Sequence, residues 1–159
     1  MSLEGEFRDV CAMIAHTLRG IEKGNLLMNI RKDTVFRRLA IFTADLDAFD
    51  PSVIVIIENH ILQFQRAWRA SRHDGELSPG FHFEAYVKID DPYRLCQIRV
   101  GPKQGYRASV MFLDGSSGAY WVYIFKKMKD KQPDDMKRAR HLAQRFWNEL
   151  ERKNENGTR

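Results

Sequence analysis

The 159-residue sequence is short of most features that mark specialised chains. It has two cysteines, Cys11 and Cys96, far apart and outside any CxxC spacing. That excludes a disulfide framework or a zinc ribbon and points to a reduced, cytoplasmic chain. Its five histidines, at 16, 60, 73, 82 and 141, are scattered, and none lies four residues from another. No helical metal pair is present, so neither a metal nor another cofactor is expected. No apolar run approaches the ~20 residues of a membrane span; "SVIVII", residues 52 to 57, is far too short. The first residues carry Glu4, Glu6 and Asp9 where a leader would be basic, so no signal peptide is expected. Internal repeats and a Pro/Gly/Ser-rich linker are also missing. One domain, 1 to 159, with a single core is the simplest organisation.

What the chain does have is an uneven charge. The whole chain carries a formal net charge of +5. The stretch 94 to 132 alone carries an excess of six positive charges, from Arg94, Arg99, Lys103, Arg107, Lys126, Lys127, Lys129 and Lys131 against Asp114 and Asp130. Tyr106, Tyr120, Trp121 and Tyr123 are interleaved with these cations. Basic and aromatic residues mixed on one segment are the footprint of a polyanion-binding surface. A solvated surface face is the plainer alternative.

Hydrophobic periodicity divides the chain into helices, then strands, then a helix. Phe7, Val10, Cys11, Ile14, Leu18 and Ile21 recur at helical steps over 3 to 23, and Gly24-Asn25 ends that run. "LLMNI", 26 to 30, has the composition of a short strand. Asp33 reads as the N-cap of a helix over 33 to 48 carrying Val35, Leu39, Phe42 and Leu46. Asp50-Pro51 opens a second helix over 51 to 69, because proline suits the first helical position. Four strand-like runs follow, at 81 to 89, 94 to 100, 106 to 113 and 119 to 125, separated by turn residues. Short connections favour an antiparallel meander. Pro133 with Asp134 and Asp135 starts the last helix, and residues 154 to 159 form a frayed tail. The fold class is α+β.

Strand alternation assigns faces. Cys96, Ile98 and Val100 share one face, with Gln97 and Arg99 on the other. Tyr106, Ala108, Val110 and Phe112 share a face, with Arg107 and Ser109 opposite. Arg99 and Arg107 should therefore stand together on an open side, near the lysines that end the next strand.

The order of these pieces resembles a known family. "LCQIR" at 95 to 99, "GYR" at 105 to 107, and the strand ending in "FKK" before Pro133 are similar to the C-terminal half of bacterial RelE/HigB-type toxins. Those toxins show an LYELR-like strand, a GYR-type strand, and a lysine-rich strand end that opens the last helix. The resemblance spans roughly residues 28 to 151 and is best over 94 to 146. Residues 1 to 24 and 75 to 92 depart from the compact toxin pattern, and 81 to 89 would be an additional edge strand.

The resemblance implies a RelE-like meander preceded by two helices, and a metal-independent endoribonuclease that cuts mRNA, on the ribosome or off it. A cognate antitoxin protein would hold it silent. It implies Arg107 as phosphate clamp, Arg99 as a second cation, and Lys126, Lys127 and Lys129 at the basic strand end. Arg94, Lys103 and Lys131 complete the RNA-binding set. Lys127 is the first choice for proton transfer, because neighbouring lysines lower the pKa of an ammonium. Tyr123 falls near a slot where HigB-like members carry histidine, and His82 is a further acid or base candidate. Gln97 stands where some members have lysine, a departure that weakens the nuclease reading. The alternative is a non-catalytic RNA or protein binder on the same scaffold, as with gyrase poisons. The apolar stripe of residues 7 to 21 is left to cover the domain, a second copy, or the antitoxin.

Overall fold

The computed structural model describes residues 31–77, 83–85, 93–113, 118–128 and 132–157. The expected helix over 3 to 23 and strand over 26 to 30 lie outside them. Within them the chain runs β1 (Val35–Arg38), α1 (Ala40–Asp47), α2 (Pro51–Ala70), β2 (Phe83–Ala85), β3 (Tyr93–Val100), β4 (Tyr106–Leu113), β5 (Gly118–Lys126) and α3 (Pro133–Gly157). The strands form one sheet in the order β1-β5-β4-β3-β2. The pairs β2–β3, β3–β4 and β4–β5 are antiparallel, as the meander predicts, and β2 is the additional edge strand.

One expectation is overturned. Residues 33 to 48 are not one helix: Val35–Arg38 is a strand, and the helix begins only at Ala40. β1 pairs parallel to β5, with Val35 opposite Gly118 and Arg38 opposite Trp121, and the Leu39 N–H adds a bond to the Trp121 carbonyl at 3.0 Å. The edge of β5 offers backbone partners that a lone helix start cannot. Phe36 then sits among Phe64, Phe112 and Trp121, with ring centroids 6.3, 6.1 and 6.2 Å away. Packing overrides the helical spacing of Val35, Leu39, Phe42 and Leu46. By contrast, Asp50-Pro51 starts α2 as read: the Asp50 carbonyl accepts from the Val53 and Ile54 N–H groups at 2.9 and 3.0 Å. α3 continues to Gly157, past the expected start of the tail.

Both faces of the sheet are covered, by different helices. On one face, Ile98, Val100, Ala108, Val110, Trp121 and Ile124 bury against Phe42 and Leu46 of α1 and Ile57, Ile61, Phe64 and Trp68 of α2. On the other, Tyr93, Leu95, Met111 and Val122 bury against Ala143, with Leu142, Phe146 and Trp147 of α3 packed at the margin. α3 therefore closes part of the face that alternation alone leaves open.

Asp74, just after α2, ties Arg31, ahead of β1, to Arg94 of β3. Arg31 donates to it at 2.8 Å, and Arg94 donates to its other oxygen. The Arg31 guanidinium also lies 4.0 Å from the Trp68 ring centroid and donates to Ser71 Oγ at 2.7 Å. Burial pushes the Asp74 carboxyl up, but the Arg94 and Arg31 guanidiniums outweigh it and hold it below the usual carboxylate range.

Two outcomes follow. Val110 is fully buried between β3 and β5. Val110→Ala should cost on the order of 1 to 3 kcal/mol in chemical denaturation, from lost burial and a residual cavity. Because the Asp74 carboxyl is depressed in the fold, its stabilisation is present above the unfolded value of about 4 and is lost as pH falls through the folded value. Asp74→Asn should lower stability at neutral pH by roughly 0.5 to 1 kcal/mol and flatten the acid limb of the stability profile.

Candidate nucleic-acid interface

The cations meet where β3, β4 and β5 lie side by side beyond the cover of α3. Arg99 pairs across the strands with Arg107, and Arg107 with Phe125. One row inward, Gln97 pairs with Ser109, and Ser109 with Tyr123. These residues share a face only because β5 carries one extra residue. Val110 pairs with Trp121 but Ser109 pairs with Tyr123, which leaves Val122 as a bulge. Strict alternation along "AYWVYIF" would put Tyr123 and Phe125 beside Trp121, in the core. The bulge returns Ile124 to that core and turns Tyr123 and Phe125 toward the arginines.

Two arginines directly opposite one another repel. Arg99 is exposed, whereas Arg107 is half-buried. The Arg107 guanidinium folds onto the turn before it, donating from Nη1 to the Gln104 carbonyl at 2.6 Å and to the Tyr106 carbonyl at 3.1 Å. The same turn holds the end of β5: the Lys127 N–H donates to the Gly105 carbonyl at 2.7 Å. This continues the ladder one step, so Lys127 follows Phe125 onto the arginine face and Lys126 follows Ile124 onto the other. The two adjacent lysines thus leave the strand on opposite faces, and Lys129, the other neighbour expected to crowd Lys127, lies outside the described residues.

Tyr123 is a tethered residue. Its phenol donates to Asp135 Oδ1 at 2.9 Å, and the Arg138 guanidinium lies 5.6 Å from its ring centroid. Burial, then the hydrogen bond to Asp135 and that carboxylate's charge, push its pKa up to about 12, with Arg138 opposing. A phenol so held is a weak candidate for proton transfer near neutrality. Gln132 completes the tether. Its Nε2 donates to Asp135 Oδ2 at 2.8 Å and to the Lys126 carbonyl at 3.3 Å, while its Oε1 accepts from the Met128 N–H at 2.6 Å. The first turn of α3 is thereby stitched to the strand end. Nearby, burial holds the Asp45 carboxyl of α1 above its ordinary range, and its Oδ2 is buried with no hydrogen-bond partner among the described residues.

Of the sequence candidates, Arg99, Arg107, Lys127 and Tyr123 come to one face. Lys103, exposed in the turn at φ 54°, and Lys126, exposed at the strand end, flank it. Arg94 does not join them. It lies on the α2 side of β3, in line with Cys96, and is engaged with Asp74. Alternation from Arg99 already separates the two arginines, since they stand five residues apart on one strand. His82, Lys129 and Lys131 lie outside the described residues. Gln132 and Asp135 are the contributors that sequence reasoning passes over: "QPDD" reads only as a helix start, and nothing in it signals a bond to Tyr123. Among the described residues no group of histidine, cysteine, aspartate and glutamate is arranged to hold a metal ion. Burial pushes the Cys96 thiol up to about 12, so it stays protonated and unreactive at neutral pH.

The tether predicts a titration. Because the folded Tyr123 pKa is raised, its contribution to stability is complete below about 10 and is lost as pH rises through the folded value. Absorbance titration of phenolate should show one of the five tyrosines ionising near 12. Asp135→Asn should bring that tyrosine down toward 10, because both contributions of the carboxylate disappear. An unchanged late ionisation in the variant would dissolve the proposed tether.

No protein-family model matches the chain, and no curated protein matches it. Among solved structures, the chain is similar to the archaeal RelE-RelB complex from Pyrococcus horikoshii OT3, with a TM-score of 0.46 and 10% sequence identity. The likeness covers 61% of this chain and 98% of that one.

Proposed function

We propose that this chain is the toxin of a toxin–antitoxin pair, an endoribonuclease that cuts mRNA without a metal and so inhibits translation. One observation carries the reading: the Arg99–Arg107 pair, set directly opposite across β3 and β4, with Lys127 beside it. Like charges directly opposite on neighbouring strands destabilise a sheet, and an anion bound over the pair relieves that repulsion. A phosphodiester is such an anion, and the arginine forks match its oxygens. Attack by the 2′-hydroxyl, which closes a 2′,3′-cyclic phosphate as the bond to the 5′-oxygen breaks, then needs charge stabilisation on the pentacoordinate phosphate and a group to move the proton from the 2′-oxygen to the leaving 5′-oxygen. Arg107, held by two carbonyls on a mid-sheet strand, supplies the first. Lys127 is the described amine placed for the second. The partners of this reading are mRNA, with or without the ribosome, and an antitoxin protein, and its place of action is the cytoplasm. No helix of the described residues is long and apolar enough to cross a membrane.

A second reading has its own support. Tyr123 is tied to Asp135, and Gln97 occupies a row where a lysine would add a proton-transfer group. With fewer such groups, the face would bind RNA or a protein partner without cutting.

The two readings separate cleanly. RNA affinity should fall steeply with salt, since each phosphate contact releases condensed counterions. Lys127→Glu should weaken binding more than Lys126→Glu, because only Lys127 follows the arginine face. Arg107→Ala should lower cleavage by roughly 10²- to 10³-fold while the fold persists. Primer extension on cellular mRNA after tightly controlled expression decides between them: cuts lost in Arg107→Ala support the nuclease, and RNA binding with no cuts in the wild type supports the binder.

A further inference from the structure

We propose that His60, on α2, is a positioning residue for Arg107 and Lys127, acting through the turn between β3 and β4. The inference rests on the reading of that face as an RNA phosphate site. His60 is remote from the arginine face: α2 packs on the opposite side of the sheet. Its Nδ1 accepts a hydrogen bond from the Gly101 N–H at 2.9 Å.

Gly101 opens a turn that its own sequence does not favour. Gly101, Lys103 and Gln104 all have left-handed backbone, at φ 84°, 54° and 56°, and only the first is glycine. Left-handed lysine and glutamine persist only where the surroundings over-determine them. Within the turn, Gln104 N–H donates to the Gly101 carbonyl and Gly105 N–H to the Pro102 carbonyl, both at 3.0 Å. The external anchor is at Gly101. A Cβ there would fall 2.5 Å from Tyr106 Cδ2 and 3.3 Å from Ile57 Cγ1, so the turn is pressed against β4 and α2. His60, one helical turn from Ile57, then supplies its hydrogen bond.

The output of the turn is the cationic face. Consecutive carbonyls, those of Gln104 and Gly105, receive the Arg107 guanidinium at 2.6 Å and the Lys127 N–H at 2.7 Å. A tilt of the turn moves both cations together. His60 thus sets, from behind the sheet, where the charge-stabilising arginine and the proton-transferring lysine stand relative to Arg99 and the phosphate. Misplacement on this scale costs rate with little cost in binding, since Lys103 and Lys126 still attract the polyanion.

The test uses the full chain with His60→Ala and His60→Asn. The Oδ1 of asparagine falls close to the place of Nδ1 and restores an acceptor. In His60→Ala, NMR hydrogen exchange should accelerate at the Gly101 and Lys127 amides by about tenfold or more, with Ile98 and Val110 unchanged. Cleavage kcat on RNA should fall about ten- to a hundredfold with KM near the wild-type value. His60→Asn should recover most of both. If His60→Ala does not fold, His60→Gln, whose acceptor stands one bond further out, takes its place and should be defective where His60→Asn is not. Wild-type protection of Gly101 and Lys127 in the alanine variant, or an asparagine variant no better than alanine, overturns the proposal. If the wild type never cuts RNA, the nuclease reading fails, and the exchange measurement still decides the positioning.

Discussion

Between Ser109 and Val110 on β4 and Trp121 and Tyr123 on β5, the sheet accommodates one extra residue, and the arrangement of everything around β5 depends on it. Before the bulge, Trp121 faces the helices, where it is fully buried among Phe36, Phe42 and Phe64 and donates from Nε1 to Gln65 at 3.0 Å. After it, Ile124 takes the helix side and Tyr123 and Phe125 take the other. A strand in regular register would bury a phenol in the aromatic core and leave isoleucine beside the arginines. The bulge lets one strand serve a dry core at one end and a polar face at the other.

That polar face owes its extent to α3. The helix covers Tyr93, Leu95, Met111 and Val122 of β3 to β5 through Ala143, Phe146 and Trp147 and does not cover the Arg99–Arg107 row. Its first turn nevertheless reaches the site through Gln132 and Asp135. The turn at 101 to 105 holds the other side. The cations therefore stand on strands held by two separate segments, which is how a sheet keeps like charges close without local collapse.

The electrostatics divide in the same way. On the α2 side, Arg94 and Arg31 share Asp74, a closed arrangement that stabilises the fold. On the other side, Arg99 and Arg107 face each other, with the acids Asp45 and Asp135 gathered around Tyr123 and Arg138 instead. Arginine is used on both faces of β3, and only the neighbouring elements distinguish the group closed on Asp74 from the Arg99–Arg107 row.

Much of this was legible in the chain. Period-two patterns over 94 to 100 and 106 to 113 assign Ile98, Val110 and the arginines to their faces, because alternation is a local property of extended backbone. Asp50-Pro51 and Pro133 with its aspartates mark helix starts, because a missing N–H and a preset φ act within one turn. Other features answer to no local rule. Val35 to Arg38 carry a helical spacing yet form a strand, since the open edge of β5 outbids a weak propensity. The bulge at Val122, the bond from Tyr123 to Asp135 and the anchoring of Gly101 by His60 join residues that are 11 or more apart in sequence. Such contacts exist only after the sheet and helices have closed on one another, and it is that closure which turns scattered cations into a site.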